Sequence, residues 1–313
     1  MADRNSDVAG SDAFRDFADR LCSPDFLDEL AQATALPLDA VRTRVTMAVA
    51  EAAQTLRVIE GLDLPAGQRM LAVGAGLGLA SAFLSSQGFD VTALEPGGVG
   101  FEEHLVVAEK LAALAGWDHP LLTIGVEQLD PARHGHFSLI FSNNVIEHVE
   151  RADASLRAMA RVLTPEGLMV HSCPNYSIPY EPHFGLPLLP WRPRWTARLL
   201  PRRVSESDLW SSLNFIRARD VIATGVKLGY VVEFRSGALA ASLERLGTDV
   251  EFRARHRLLA GVAVVARSTG MIRLLRRLPS TWSTPMDFLM CPPGADASRI
   301  ASWHEPAGRA ITR

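Results

Sequence analysis

Apolar residues along this chain change their period several times, and each change marks an element. From Phe14 to Leu62 they recur every three to four residues, a helical rhythm broken near Ser23-Pro24 and again near Pro37. In the last of these helices Val41, Val45, Val49 and Ala52 share one face. That face is expected to lie on the main domain, either beside a ligand site or only over core. Ahead of the helices, the polar stretch from Met1 to about Ala13 reads as disordered.

The period then shortens. Met70, Leu71, Ala72 and Val73 form an apolar run that enters a glycine turn, Gly74-Ala75-Gly76-Leu77-Gly78. A helical pattern follows, then Gly88, a second run (Val91, Ala93, Leu94) and an acid, Glu95. This is strand, tight turn, helix, strand. Glycines let a backbone turn sharply and approach a ligand where a β-carbon would collide. The helix behind them offers free N–H groups and its positive dipole end to an anion. Glu95 stands twenty-one residues after Gly74, about where nucleotide-binding α/β units place the carboxylate that accepts ribose hydroxyls. Leu79 occupies the place of the third glycine in a pyrophosphate-binding turn, which favours a smaller anion.

The alternation continues with a helix from Phe101 to Gly116 and strands at Leu121 to Ile124 and Phe137 to Ser142. Leu156, Met159, Ala160 and Leu163 mark the next helix, which Thr164-Pro165-Glu166-Gly167 is expected to end before a strand from Leu168 to Cys173. Such a rhythm predicts an α/β chain with a mostly parallel sheet covered on both faces. It stops at Pro174. From there to about Asn214 the chain is rich in proline and aromatics without a clean period, the mark of a lid or binding loop. Regular structure then returns. Ala218 to Leu228 predicts a helix stopped by Gly229, Val231 to Phe234 a strand, and Leu239, Leu243 and Leu246 a helix stopped by Gly247. Arg253 to Arg277 reads as a basic helical stretch and Met286 to Met290 as a last strand.

Composition narrows the class. With 313 residues the chain has room for one large α/β domain with additions, or for two modest ones. Its 48% hydrophobic and 21% charged content are those of a soluble globular protein. A net charge of −3 argues against non-specific nucleic-acid binding. No run is long and apolar enough for a membrane span, and the polar N-terminus lacks the apolar core of a signal peptide, so a cytoplasmic location is expected. Cys22, Cys173 and Cys291 are odd in number and far apart. They suggest neither a disulfide framework nor metal-ligand spacing, and no metal site is expected.

Four segments, spanning roughly Met70 to Tyr176, together resemble the class I S-adenosylmethionine-dependent methyltransferases. LAVGAGLG is similar to that family's glycine-rich first motif, and TALEP to the segment bearing its ribose-binding acid. HFSLIFSNNVIEHV, from His136 to Val149, resembles the fourth strand with its "EH" ending, and RVLTPEGLMVHSCPN the fifth-strand segment. The likeness is closest to the small-molecule branch, such as quinone-biosynthesis, natural-product and sugar methyltransferases. It implies a Rossmann-like seven-stranded sheet preceded by an N-terminal helical extension over residues 1–65. The S-adenosylmethionine-binding core would take residues 66–175, a lid 176–216, the rest of the core 217–292 and a tail 293–313.

The resemblance implies S-adenosyl-L-methionine as cofactor. Its carboxylate would meet the turn of Gly74, Ala75, Gly76 and Gly78 at the helix N-terminus, and its ribose hydroxyls would meet Glu95. Glu127 or Gln128 would serve the adenine, and Asn143 and Asn144 the methionine portion. Two positions depart from the family. Ala72 stands where the first motif usually carries an acid, and Glu166 replaces the first glycine of a Pro-Gly-Gly turn. Ala72 supports the alternative of a catalytically silent scaffold. A nicotinamide-dependent oxidoreductase is the other alternative, and it predicts a glycine at position 79.

Methyl transfer needs chiefly alignment, which can supply roughly 7–11 kcal/mol. A general base adds on the order of 10²–10⁴-fold where the acceptor is a hydroxyl or an acidic carbon. The candidate bases are Glu147 and His148 after strand four, and Tyr180 and His183 in the lid, with His183 favoured as acceptor-facing. His104 and His171 read as structural. Trp191, Trp195 and Trp210 interleave with Arg192, Arg194, Arg198, Arg202 and Arg203. Three readings stay open: an acidic or phosphate-bearing acceptor, peripheral contact with an anionic membrane helped by Arg273, Arg276 and Arg277, and a solvated basic face. The expected partner is a small-molecule acceptor methylated at oxygen or carbon, not a nucleic acid.

Overall fold

The structure is a computed structural model, and it describes residues 11–97, 102–118, 120–190, 192–295, 297–301 and 303. Of the stretch from Met1 to about Ala13 expected to be disordered, Met1 to Gly10 lies outside the described residues, as do the side chain of His104 and all of Trp191, and the rest is corrected, since Asp12 and Ala13 open a helix. Contacts sort the chain into two compact units. One takes Met1–Asn143, Ala158–Val170 and Gly294–Ile300, and the other takes Asn144–Arg157, His171–Pro293 and Ala301–Arg313.

In the first unit, α1 (Asp12–Leu21), α2 (Pro24–Thr34) and α3 (Leu38–Val58) break where the sequence predicts. Ser11 caps α1, its hydroxyl accepting from the Phe14 amide at 3.1 Å. α3 buries Val41, Val45, Ala48, Ala52 and Leu56, so its stripe runs through Ala48 and leaves Val49 half-buried. The alternating part follows as β1 (Arg69–Val73), α4 (Leu79–Ser86), β2 (Asp90–Leu94), α5 (Glu102–Ala115), β3 (Leu121–Leu122), α6 (Pro131–His134) and β4 (Phe137–Asn143). β3 is shorter than expected, because Gly125 opens a 3-10 turn over Val126–Gln128. β1 pairs in parallel with β2 on one side and β4 on the other, setting Ala72 opposite Ala93 and Phe141. Phe14 and Phe17 of α1 bring their ring centroids to 5.1 and 5.4 Å from that of Phe83 in α4. The helical extension thus covers the helix that follows the glycine turn.

Two expectations around the next helix are corrected. α7 (Ala152–Arg161) buries Ala158 where Ala160 was expected, and it ends before Leu163. The stretch from Thr164 to Gly167 is no helix terminator, since β5 runs unbroken over Leu163–Cys173. Gly167 lets the strand close over Leu163, where an added Cβ would stand 2.7 Å from Leu163 Cγ.

The stretch read as an irregular insertion contains short elements: β6 (Tyr180–Glu181) and β7 (Leu186–Pro187), paired antiparallel, a 3-10 segment over Pro193–Leu199, α8 (Arg202–Ser205) and α9 (Asp208–Ser212). Tyr176, Leu188, Trp210, Leu213 and Phe215 form an apolar cluster beneath them. α10 (Ala218–Leu228) and β8 (Val231–Phe234) match the sequence reading, with Gly229 in the left-handed conformation as the C-cap.

The basic stretch divides into α11 (Ala238–Thr248), α12 (Val250–Arg255), α13 (Arg257–Ser268) and α14 (Met271–Leu275), broken at His256 and Gly270. Gly247 does not stop α11. It lies inside that helix, where an added Cβ would collide with the Arg267 guanidinium, which donates to Leu243 O at 3.0 Å. β9 (Met286–Cys291) runs antiparallel to β8. The strand order of the main sheet is β3-β2-β1-β4-β5-β9-β8, a mostly parallel seven-stranded sheet of the Rossmann-like type.

Candidate active site

In the first unit the glycine turn is built from the end of β2. Gly74, Gly76 and Gly78 all have positive φ, at 68°, 56° and 77°, which only glycine adopts without strain. The amides of Gly74 and Ala75 donate to Leu94 O at 2.8 and 3.1 Å, and the Gly76 amide donates to Glu95 Oε2 at 2.8 Å. The turn is therefore held by its neighbour strand and does not depend on an acid at Ala72, which is itself buried in β1. Burial raises the pKa of Glu95, against the pull of the Gly76 and Gly97 amides. An added Cβ on Gly76 would meet nothing within 4 Å, so open space lies against the turn.

These features fit S-adenosylmethionine. The donor carries a carboxylate for the turn and α4's N-terminus, and a ribose diol for Glu95. Of the other positions expected to line it, Glu127 is exposed, and the Gln128 side-chain oxygen accepts from the Gly125 amide at 2.8 Å. Asn143 closes β4, and Asn144 follows with a positive φ of 53°.

The second unit gathers the acid–base candidates. Glu147 is fully buried, and neither carboxylate oxygen has a hydrogen-bond partner among the described residues. Its Oε1 lies 3.6 Å from His183 Nε2 and 3.8 Å from His148 Nε2. Burial pushes the Glu147 carboxyl up to about 7, only partly offset by its own backbone amide and then by His183. His148 meets Ser212 Oγ through Nδ1 at 2.8 Å, and burial together with the nearby His183 pushes it down to about 4. His183 meets Glu181 Oε1 through Nδ1 at 2.6 Å. Burial works against the His183 cation, but Glu181 and Glu147 outweigh it, and the pKa is raised.

Sequence reasoning passed over Glu181, although it lies between two chosen residues. It is buried and accepts from Tyr176 Oη at 3.2 Å and from the Phe184 amide at 2.7 Å. Burial alone would raise its pKa, yet His183 and the backbone donors bring it below the ordinary value. Tyr180 takes another partner. Its hydroxyl sits 2.6 Å from Nδ1 of His256, a residue read only as part of a basic helix. Asn214 was read as the end of the loop and proves to be a clamp. Its amide nitrogen donates to Ile146 O and Val149 O at 2.7 and 2.9 Å, and its backbone N–H donates to Glu147 O at 2.8 Å. A cavity of about 730 Å³ in the same unit is lined by Tyr176, Leu188, Asn214, Phe215, Arg192 and Arg194, among others.

The profile of a family described as "Methyltransferase domain" matches residues 44–217, more than half of the chain. The chain belongs to this methyltransferase family. It is a class I S-adenosylmethionine-dependent enzyme, and its donor is S-adenosylmethionine. An uncharacterized protein of Mycobacterium tuberculosis is 34% identical over 200 residues, covering 61% of this methyltransferase and 67% of that protein. A ubiquinone biosynthesis O-methyltransferase of Caulobacter sp. is 32% identical over 112 residues, which are 36% of this methyltransferase. The match spans 43% of the Caulobacter protein, less than half its length. Among solved structures, mycolic acid cyclopropane synthase CmaA1 is 17% identical at a TM-score of 0.46, covering 93% of this chain and 98% of that one.

Proposed function

We propose that this methyltransferase acts on a small-molecule acceptor at oxygen or carbon, with His183 taking the acceptor's proton. The observation that carries the reading is the chain Tyr176–Glu181–His183: a buried carboxylate fixed by two donors holds one imidazole nitrogen at 2.6 Å. Such a carboxylate fixes the ring's tautomer and strengthens the other nitrogen as a base. The name of the Caulobacter relative, an O-methyltransferase, supports oxygen. S-adenosylmethionine supplies a methyl group on a sulfonium, a good leaving group. What remains for the chain is to hold the acceptor, exclude water and accept one proton at His183 Nε2.

The cavity suggests the acceptor's character. Tyr176 and Asn214 belong both to its wall and to the supports of the Glu147–His183 cluster. Arg194 stacks over Phe215, and no carboxylate pairs with Arg192 or Arg194 among the described residues. An apolar or aromatic body with an acidic group suits this lining. The test is transfer of isotope-labelled methyl from the donor to a panel of hydroxybenzoates, catechols and their phosphorylated counterparts. Label on an acidic phenol, reduced a hundredfold or more in His183→Ala, is expected. Label passing only to protein or nucleic acid would overturn the reading.

A further inference from the structure

Glu147 and His183 pose a problem that a general base does not solve. As an anion, a fully buried carboxylate with no donor in hydrogen-bond geometry is strongly disfavoured, and it is relieved by taking a proton or by a cation beside it. Two imidazole nitrogens face it, yet at 3.6 and 3.8 Å both are too far to donate a normal hydrogen bond. Glu147, His148 and His183 each offer one ligand atom, and these atoms lie within 4.8 Å of one another. Ligands about 2.1 Å from a tetrahedral ion stand about 3.4 Å apart, so small side-chain rotations bring these three atoms onto a common centre.

The outer nitrogens agree. His148 Nδ1 is engaged by Ser212 Oγ and His183 Nδ1 by Glu181 Oε1, which leaves both Nε2 atoms turned toward the carboxylate. A histidine that binds metal through one nitrogen is commonly oriented in this way, by a hydroxyl or carboxylate on the other. Asn214 fixes the backbone on both sides of Glu147 and His148, so these two groups are presented from a braced turn, while Glu181 holds the ring of His183.

We propose that Glu147, His148 and His183 bind one divalent transition-metal cation of the zinc class, with a fourth position open to an acceptor oxygen. Two neutral imidazoles and one carboxylate suit a borderline ion and do not suit magnesium or calcium, which take oxygen ligands. The inference rests on the acceptor reading above and changes its agent. The cation draws electron density from an acceptor hydroxyl and makes its proton easier to release to water at neutral pH, while His183 serves as ligand.

The test uses the full chain stripped with a chelator and titrated with Co²⁺ by visible absorption and with Zn²⁺ by competition. One ion per chain is expected, with affinity at least tenfold weaker in Glu147→Gln and in His148→Ala, and unmoved by millimolar Mg²⁺. Glu181→Gln, which loosens only the outer contact, is expected to weaken the site roughly 10–100-fold. Binding of S-adenosylhomocysteine, measured on each variant, reports that the fold is intact. X-ray absorption of the wild-type zinc form needs no variant, and its first shell is expected to hold two imidazoles. No stoichiometric binding to wild type, affinity unmoved by both substitutions, or sulfur in the first shell would overturn the proposal. Those results would leave His183 standing as a base. Loss of S-adenosylhomocysteine binding by the wild type would sink the methyl-transfer reading instead, and the metal titration would remain readable.

Discussion

The Gly76 amide donates to Glu95 Oε2 at 2.8 Å, tying the glycine turn to the acid that ends β2. One carboxylate thus shapes the turn and, in the reading proposed here, also takes the ribose of S-adenosylmethionine. The consequence is a separation of effects in Gly76→Ala. At φ 56° an alanine is strained by about 1–2 kcal/mol, and nothing else lies within 4 Å of its Cβ. Urea unfolding should show only that modest loss. Calorimetry should show donor affinity falling tenfold or more, because the methyl stands in the space against the turn. Affinity unchanged alongside the stability loss would place the donor elsewhere.

Asn175 is a hub that no functional motif advertises. Its buried side-chain amide donates to Ser280 O, Thr281 O and Ser283 O, and its oxygen accepts from the Ser177 and Ala218 amides. Asn175→Leu strands the Thr281 and Ser283 carbonyls and the Ser177 and Ala218 amides together, while Ser280 O keeps the Ser283 amide. Unfolding in urea should show about 3 kcal/mol or more of destabilisation. A loss under 1 kcal/mol would mean that water replaces the amide readily.

His171 gives a pH signature. Burial pushes its pKa down to about 3, whereas an unfolded histidine titrates near 6.5. Between those values the unfolded chain binds the extra proton. The contribution to stability is therefore complete above about pH 6.5 and falls away as the pH drops toward 3. From pH 7 to 5 one such group removes about 2 kcal/mol. The same pH step in His171→Leu should remove about 2 kcal/mol less, as read by urea midpoints at the two pH values. Equal pH dependence in the two proteins would contradict the assignment.

His183→Ala should lower kcat by roughly 10²–10⁴-fold while the KM for the donor and S-adenosylhomocysteine affinity hold, since the side chain belongs to the acceptor's chemistry. Steady-state kinetics on the acceptor found by the labelling panel checks it. An effect confined to KM would reduce His183 to a binding contact.

Most of the frame was legible because period carries it. β1, β2, β4, α10 and β8 fall within a residue or two of their sequence bounds, since each is a run long enough to show a period of two or 3.6. Ends set by single contacts were not legible. Gly247 looks like a stop until Arg267 is seen packed against it, and Gly167 until the strand closes over Leu163. The insertion hid its elements because strands of two residues and single helical turns are too short to show a period. In the candidate site, the turn and Glu95 announced themselves by spacing. Ser212, Asn214 and His256 did not, because each acts through a partner far away in sequence, as with the 64 residues between His148 and Ser212, and Glu181 did not because its burial shows only in the fold. Their roles arise from folding alone.

The measurement that bears most directly on the account is calorimetric titration of S-adenosylhomocysteine into the wild type and Glu95→Gln. Replacing the carboxylate with an amide keeps an acceptor for Gly76 and removes the charge that would hold the ribose. The account predicts one site per chain in the wild type and affinity roughly 10–100-fold weaker in the variant, with the urea midpoint nearly unchanged. Equal affinity in the two proteins, or no binding to either, would contradict it.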